Sequence, residues 1–332
     1  MLIKDVMPDF ELYQPTSVAD AVSLAGRFGK DGWVLAGGND SLSWFKDRIK
    51  RPKAVIDLRG VKEMRGIKET GDGIEIGAMT PLADVATNKL VTGSYRLLAD
   101  AAGKVASPQI RNSGTIGGNV SQDSRCWYYR YGLPCYRANG NTCFSDTPDG
   151  QNREHAIFLA DRCVTVSQSD TAPAVVALDA EMVIRNGKGE RVVKAADFFI
   201  GPNVDITHLN ILKPGDVLVA IRLPKAWAGA KFYFEKVTDR NAWDFPLVNV
   251  AAAMQVGGDG AVKDARVVVN GVSAIPYRVA AAESVVAGQK VDAKLAEVAG
   301  AASTRGAKAL NYNGYKIPLM QKLITRAVRD AS

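Results

Sequence analysis

The 332-residue sequence predicts an α+β fold on three observations. The first 60 residues alternate between helix and strand patterns, as in a small α/β unit. From about residue 65 the chain becomes richer in strands, and a segment with the composition of a boundary follows at Pro224–Gly229. After residue 230, predicted strands come before predicted helices, and this grouping is typical of an α+β domain.

Helix and strand periodicities define the N-terminal elements. Ser17 begins the first helix, because Asp20 three residues later resembles an acidic capping box. Thr80–Pro81 starts a later helix with proline at its first position. The other predicted elements up to residue 110 are a first helix ending near Phe28, helices over Ser43–Lys50 and Leu97–Val105, strands over Trp33–Ala36 and Ala54–Leu58, a hairpin of Met64–Lys68 and Ile74–Ala78, and a break at Ser107–Ile110.

The same patterns define the rest of the chain. Strand-like runs occur before the boundary segment at Ala174–Leu178, Glu181–Arg185 and Asp216–Leu223. The C-terminal part is predicted to hold strands over Lys231–Val237, Leu247–Val256 and Ala265–Val272, then helices over Tyr277–Val286, Ala293–Thr304 and Ile317–Arg329.

The composition excludes several classes of function. The net charge of +7 is spread along the chain and not gathered in a block, which argues against nucleic-acid binding. No run of about 18 apolar residues is present, so no membrane span is expected. Met1–Val6 lacks a basic region followed by an apolar stretch, so no secretory signal is expected there. With only two histidines, imidazole-based catalysis, including a Cys–His pair, is not expected, and a cofactor would carry any chemistry.

Two glycine turns have the character of a phosphate-binding site. Gly37–Gly38 follows a predicted strand and precedes a helix, which allows a tight turn with exposed backbone N–H groups. Thr115–Asn119 repeats this combination about 80 residues later. Together the turns can converge on one pyrophosphate, although neither of the usual nucleotide-binding fingerprints occurs. Two unrelated turns are the alternative.

All four cysteines of the chain lie in one 38-residue window. Disulfides are not favoured in a chain of this length without a signal, and structural zinc usually brings a close cysteine pair, which is missing. An iron–sulfur cluster accepts wide sequence spacings. A metal or cluster is favoured, with unrelated buried cysteines as the alternative. The candidate ligands are Cys126, Cys135, Cys143 and Cys163.

Three motifs resemble those of one family. Ala36–Leu42 resembles the A-G-G-T-[DN]-L-type loop in the FAD-binding subunits of molybdenum hydroxylases, with Asn39 where the family often has threonine. Gln109–Asn119 is similar to the family's second pyrophosphate loop, and Ser169–Ala174 matches its S-D-x-x-P-A element. Since the motifs occur in the family's order, the resemblance covers essentially the whole chain.

The cysteine window is an insertion relative to most of this family. The second loop and the Ser-Asp element are usually separated by a few residues, whereas about 40 intervene here. This resembles the subset with an extra [4Fe–4S] cluster, above all the bacterial aldehyde oxidoreductase flavin subunits, on the cysteine spacing and on Asp149–Ile157. The resemblance implies that the four cysteines ligate such a cluster. 4-Hydroxybenzoyl-CoA reductase has the same kind of insertion with a different cysteine spacing.

The resemblance also implies domains and cofactor contacts. A FAD-binding domain, residues 1–225, would hold FAD between lobes at about 1–60 and 61–225, with the insertion at about 124–166. An α+β domain of three strands and helices, 230–332, would follow. Asp244–Phe245 would lie near the flavin face. The implied FAD-binding residues are Val34, Leu35, Ala36, Gly37, Gly38, Asn39, Asp40, Ser41, Leu42, Gly114, Thr115, Ile116, Gly117, Gly118, Asn119, Asp123, Asp170 and Lys236.

The function implied is that of an oxidoreductase subunit without a catalytic residue of its own. An aldehyde or an aromatic or heteroaromatic substrate would be oxidised at a molybdenum cofactor in a large subunit. Electrons would pass through two [2Fe–2S] clusters of a small subunit to FAD in this chain, and then to an external acceptor. The expected assembly is a heterotrimer, with further dimerisation left open.

Several alternatives stay open at this point. One is a subunit of a 4-hydroxybenzoyl-CoA reductase-type enzyme that works reductively, and another is an autonomous FAD oxidoreductase. A zinc-stabilised scaffold without a redox role is the third. A cytoplasmic location is expected, and export with a signal-bearing partner is the alternative.

Overall fold

The structure is a computed structural model that describes residues 7–331, so the expectation for Met1–Val6 lies outside the described residues. The strands are β1 (Glu11–Tyr13), β2 (Gly32–Leu35), β3 (Ala54–Asp57), β4 (Ile67–Thr70), β5 (Gly73–Gly77), β6 (Glu181–Asn186), β7 (Gly189–Lys194), β8 (Val217–Pro224), β9 (Lys231–Val237), β10 (Val248–Val256), β11 (Val262–Asn270) and β12 (Tyr277–Arg278).

The helices alternate with these strands at first and predominate at the C-terminus. They are α1 (Val18–Phe28), α2 (Ser41–Lys46), α3 (Leu82–Thr87), α4 (Lys89–Ser94), α5 (Arg96–Gly103), α6 (Pro108–Ser113), α7 (Ile116–Val120), α8 (Trp127–Arg130), α9 (Ala172–Ala177), α10 (Ala195–Phe198), α11 (Ala280–Val286), α12 (Ala293–Ser303) and α13 (Lys316–Asp330). None of the helices between residues 7 and 331 is long and apolar enough to cross a membrane.

Three sheets organise the described chain. A parallel sheet has the order β1-β3-β2, and an antiparallel sheet has the order β4-β5-β8-β6-β7. The C-terminal part forms a second antiparallel sheet, β12-β11-β10-β9, with α11, α12 and α13 behind it. The predicted α+β class is confirmed, and β12 adds a short fourth strand to the three predicted at the C-terminus.

Local sequence explains why α1 forms where predicted. The Ser17 side chain accepts a hydrogen bond from the backbone N–H of Asp20 at 3.1 Å and so caps the helix. Val18, Ala21 and Ala25 lie on one face and are buried. The helix therefore packs against both β2–β3 of the first sheet and β6 and β8 of the second.

One predicted strand is wrong. Ala174–Leu178 is not a strand, because residues 172–177 form α9, which is buried on all sides. A short, fully apolar run cannot distinguish a buried strand from a buried helix by periodicity alone. The predicted break of the preceding helix at Ser107–Ile110 is confirmed, because α5 ends at Gly103 and a separate helix, α6, begins at Pro108, with the Ser107 side chain accepting from the N–H of Ile110.

Strand β10 joins the two main hydrophobic cores. Ala251 and Ala253 face the core of the N-terminal domain, whereas Val250, Ala252 and Met254 face the core beneath the C-terminal helices. Since side chains alternate along a strand, one strand buried on both faces can serve both domains. This arrangement fixes the C-terminal sheet against the glycine turns.

Candidate functional site

The two glycine turns meet in space. A Cβ atom on Gly37 would lie 2.3 Å from the carbonyl oxygen of Ser113 and 2.9 Å from the Cα of Gly114. Asn39 Nδ2 donates a hydrogen bond to Ser113 Oγ at 3.0 Å. Glycine is required at position 37 by this close approach, and Asn39 links the turns directly.

A cavity of about 590 Å³ opens between these turns. Pockets for small molecules and cofactors typically have volumes of roughly 300–1,000 Å³. The predicted FAD-binding residues that line the cavity are Val34, Ala36, Gly37, Gly38, Asn39, Asp40, Ser41, Gly114, Thr115, Gly118, Asn119, Asp123 and Asp170. The cradle of bare backbone and polar side chains fits a ligand that carries a pyrophosphate.

The other five predicted residues do not line this cavity. Leu35 and Ile116 belong to the hydrophobic cores, and Leu42 lies on the far side of the first turn. A Cβ atom on Gly117 would lie 2.7 Å from the Cβ of Ala78. Gly117 is therefore required for packing against Ala78. The fifth residue, Lys236, lies behind Asp170.

Asn119 connects the second turn to the Ser-Asp element. Its Oδ1 atom accepts hydrogen bonds from Ser169 Oγ at 2.7 Å and from Thr171 Oγ1 at 2.6 Å. The segments are 50 residues apart, and the whole cysteine window lies between them. The window is thus inserted between two parts of one cavity wall.

Asp170 and Lys236 form a buried ion pair at the floor of the cavity. Lys236 Nζ lies 2.6 Å from Asp170 Oδ2, and Asn249 Nδ2 donates to the other carboxylate oxygen at 3.1 Å. Burial raises the pKa of Asp170 to about 6, although Lys236 and Asn249 act in the opposite direction. Lys236 also donates to the carbonyl oxygens of Asp244 and Lys104 at 2.8 Å and 3.0 Å.

Asp123 lies between two cations. Lys50 Nζ is 3.3 Å from one carboxylate oxygen, and the buried Arg137 guanidinium donates to the other. Burial alone would raise the pKa of Asp123, but Arg137 and Lys50 outweigh it, so the pKa is lowered. Asp123 borders the cavity as a fixed anion whose charge is already compensated.

The loop between β9 and β10 closes one side of the cavity with residues that sequence reasoning missed. Arg240 and Trp243 line the cavity together with the predicted Asp244 and Phe245. The N–H of Trp243 donates to the carbonyl oxygen of Ala106 at 2.8 Å, while its side chain is 68% exposed. The sequence signal that could have found them is the pair of aromatic residues, Trp243 and Phe245, in an otherwise polar loop.

Three buried polar atoms at the cavity lack a hydrogen-bond partner within residues 7–331. They are Gln168 Oε1, Arg125 Nε and Asp40 Oδ1, the last of which is ion-paired with Arg125. Arg125 uses its Nη2 atom for Asp40 at 2.8 Å and lies 4.8 Å from the ring centre of Phe245. Since unsatisfied buried polar atoms are costly, they indicate a binding partner in the cavity.

The four cysteines are free thiols, and Cys135 and Cys163 are buried. In the described part of the chain, no three His, Cys, Asp or Glu side chains converge to hold a metal ion. Burial raises the pKa of Cys163 to about 12; Arg137 lowers it, and Cys143 and Cys126 raise it. Burial and the neighbouring Cys143 and Cys126 therefore disfavour a thiolate at Cys163, and the described thiols do not have the geometry of a ligand set.

Cys126 lies against a histidine. Its Sγ atom is 3.3 Å from His155 Nε2 and 3.4 Å from the hydroxyl of Ser145, which also contacts that nitrogen at 2.9 Å. The sequence did not suggest this contact, and it does not contradict the expectation that imidazole-based catalysis is absent. Burial, assisted by Lys316, lowers the pKa of His155 to about 4, so its ring is neutral at pH 7.

The cysteine window is attached to the start of α13 by polar contacts. Asn313 Nδ2 donates to the carbonyl oxygens of His155 and Ala156 at 3.0 and 3.1 Å. The fully buried Lys316 donates to the carbonyl oxygens of Glu154 and Gly271. The window is therefore held by contacts to the C-terminal domain.

Comparison with known proteins accounts for this architecture. Residues 8–226 match the model for the FAD binding domain in molybdopterin dehydrogenase, and residues 233–331 match the CO dehydrogenase flavoprotein C-terminal domain. The chain belongs to the FAD-binding medium subunits of the molybdenum hydroxylase family. It is thus an oxidoreductase subunit, as the resemblance implied.

Individual members of this family cover most of the chain. The aldehyde oxidoreductase FAD-binding subunit PaoB of Escherichia coli (strain K12) is 34% identical over 82% of this chain and 84% of its own. The carbon monoxide dehydrogenase medium chain of Hydrogenophaga pseudoflava is 32% identical over 76% of this chain and 72% of its own. A solved structure of carbon monoxide dehydrogenase from that organism has a TM-score of 0.77 at 28% identity and covers 98% of both chains.

Proposed function

We propose that this medium subunit binds FAD between its glycine turns and carries electrons within a heterotrimeric molybdenum hydroxylase. The convergence of Gly37–Gly38, Gly114–Asn119 and Ser169–Thr171 around one cavity carries the proposal. FAD, when bound, supplies the ability to take up electrons singly and to release them to an acceptor. The molybdenum cofactor and two [2Fe–2S] clusters would belong to the large and small partner subunits.

The residues around the cavity have distinct tasks in this proposal. Gly118 leaves space for the pyrophosphate, Gly37 allows the two turns to approach each other, and Asn39 and Asn119 hold the walls in position. Asp170 would accept hydrogen bonds from ribityl or ribose hydroxyls, with Lys236 compensating its charge from behind. Asp123 would play a similar part, since its carboxylate borders the same cavity.

Gly118→Val tests the FAD site. A Cβ at position 118 would lie 3.1 Å from Thr115 Oγ1 and 3.4 Å from the Cβ of Ala36, and the larger side chain would project into the cavity. We expect at least a tenfold loss of FAD affinity, measured by flavin fluorescence titration of the apoprotein. Gly93→Val is the matched control, because nothing lies within 4 Å of a Cβ there. Equal FAD affinity in both variants would mean that the site is misplaced.

Assembly and substrate are the second part of the proposal. Relatives include an aldehyde oxidoreductase, a nicotine 6-hydroxylase and a glyceraldehyde dehydrogenase. We propose a large subunit that oxidises an aldehyde or an aromatic or heteroaromatic compound. Co-expression with large- and small-subunit chains of this family should yield a complex. In that complex, added substrate should reduce the FAD bound to the medium subunit. Turnover of substrate by the medium subunit alone would instead indicate an autonomous FAD oxidoreductase.

We also propose that the insertion binds a [4Fe–4S] cluster through Cys126, Cys135, Cys143 and Cys163. The support is that all four thiols are free and confined to one segment. Cys135 packs with Leu35 and Trp44, and Cys126 packs against the same cluster. No electron path is assigned to the cluster, since the thiols are not arranged as ligands.

Metal analysis tests the cluster. Protein prepared without oxygen should contain about four irons per chain and the broad visible absorption of an iron–sulfur centre. A Cys143→Ser variant should lose iron while it keeps FAD, because position 143 lies outside the FAD cavity. Flavin without iron in the anaerobic wild type would refute the cluster, and zinc in its place would favour a structural site.

A further inference from the structure

A second cavity of about 710 Å³ adjoins the proposed FAD cavity. Arg125, Gln168 and Phe245 are among the residues that line both. The far wall comes from the cysteine window, through Trp127 and Tyr131. A molecule in this cavity would thus lie between the insertion and the β9–β10 loop, in contact with whatever occupies the first cavity.

The walls of the second cavity present aromatic side chains to solvent. Trp127 is 59% exposed, Tyr131 is 70% exposed and Phe245 is 40% exposed. Single exposed aromatic residues need no explanation, but three around one concavity offer flat apolar faces for a planar ring. The unpartnered Gln168 Oε1 and Arg125 Nε, an acceptor and a donor, lie on the shared wall.

Charges around the cavity are paired. Asp239 forms a two-point ion pair with Arg153 at 2.8 Å, and Asp244 lies 3.3 Å from Arg240. Arg125 is paired with Asp40 at 2.8 Å. Arg130, which also lines the cavity, lies 3.9 Å from Asp40 and 3.7 Å from Asp47. The lining holds four carboxylates (Asp47, Glu154, Asp239 and Asp244) against three guanidinium groups (Arg125, Arg130 and Arg240), so it has no excess positive charge and favours an uncharged ligand over a phosphorylated one.

We propose that this cavity binds an uncharged quinone-type electron acceptor. The inference rests on the proposed function, because the acceptor must be reduced by FAD in the adjoining cavity. Two electrons and two protons leave reduced FAD, the two quinone carbonyls become hydroxyls, and oxidised FAD is regenerated. The Arg125 side chain, which is 20% exposed on the shared wall, would donate to a quinone carbonyl.

The test is the anaerobic re-oxidation of the reduced FAD-loaded complex by 1,4-naphthoquinone, followed at the flavin absorption band in a stopped-flow instrument. The wild-type rate should saturate with quinone concentration. Trp127→Ala and Tyr131→Ala should each raise the half-saturating concentration about two- to tenfold, the range expected for loss of one aromatic stacking contact. Trp127→Phe and Tyr131→Phe should stay within about twofold of the wild type, because the ring is retained.

Ferricyanide re-oxidation and Tyr312→Ala are the controls. Ferricyanide needs no stacking site, so its rate should not change in any variant. Tyr312 is 53% exposed and lies outside both cavities. A wild-type rate that rises linearly with quinone, or equal saturation in the alanine variants, would overturn the quinone site. An equal loss of re-oxidation rate with naphthoquinone and with ferricyanide in the alanine variants would also overturn it. Failure of the wild-type complex to retain FAD would refute the proposed function instead.

Discussion

Lys236→Met should show how much the buried ion pair with Asp170 contributes to the free energy of unfolding. The side chains of both residues are at most 5% exposed, and their charged atoms are 2.6 Å apart. Removing one partner of a buried pair leaves an uncompensated charge and typically costs about 3–5 kcal/mol. The loss should be toward the upper part of this range, because Lys236 also donates to two backbone carbonyls.

The pH dependence of Lys236→Met has a defined sign. The folded-state pKa of Asp170 lies above that of the unfolded chain, so the folded state binds more protons between the two values. In the wild type this effect lowers stability as the pH rises from about 4 to about 6. Without Lys236 the folded-state pKa rises further, and the decline in stability should extend above pH 6.

The assay is urea unfolding of the flavin-free chain at several pH values, monitored by tryptophan fluorescence. Lys231→Met is the matched control, since Lys231 is an exposed residue of the same strand. The double variant Asp170→Asn with Lys236→Met should recover part of the loss, because neither charge then stays buried. The reasoning would be refuted by a Lys236→Met variant as stable as Lys231→Met across this pH range.

Two further predictions concern positions outside the cavity. Gly117→Ala should lower the free energy of unfolding by about 1–3 kcal/mol in flavin-free protein, because the new methyl group would overlap Ala78; an unchanged melting curve would contradict this packing role. Burial lowers the pKa of Lys316 to about 7, so the unfolded chain binds more protons above that pH and wild-type stability should increase from pH 7 toward pH 10, by up to about 1.4 kcal/mol per pH unit. Lys316→Met should lack this increase in urea unfolding at the same pH values, and an identical slope in both proteins would contradict the assignment.

Sequence reasoning succeeded where local chemistry decides the structure. Ser17 predicted a helix cap, and the residue pattern predicted β9 at Lys231–Val237. The glycine turns could also be predicted from the sequence, because Gly37 and Gly118 indicate close approach of the backbone at the positions where the chain turns. A pattern of residue types cannot distinguish the approach of a ligand from that of another segment, however. Gly117 was predicted to contact FAD, yet its lack of a side chain serves Ala78.

The parts that sequence reasoning missed depend on contacts between distant segments. Trp243 and Gln168 reach the cavity only because β10 packs on both domains and brings the β9–β10 loop beside the first turn. His155 meets Cys126 across 29 residues, inside a segment with little periodic structure. No spacing rule predicts such pairs, since they follow from the way the C-terminal domain attaches the cysteine window.

This attachment also connects the insertion to the flavin side of the site. Arg153 in the window binds Asp239 in the β9–β10 loop with two hydrogen bonds of 2.8 Å, and Trp127 Nε1 donates to Glu154 at 3.3 Å. Both partners of the ion pair are about half exposed, so the pair itself contributes little to stability. Its effect is geometric, because it ties the loop that carries Asp244 and Phe245 to the segment that carries the cysteines. A rearrangement of the thiols around a bound cluster would therefore be transmitted to the loop that closes the FAD cavity, so loss of iron should weaken FAD affinity without abolishing FAD binding, even if no electron passes between the two sites.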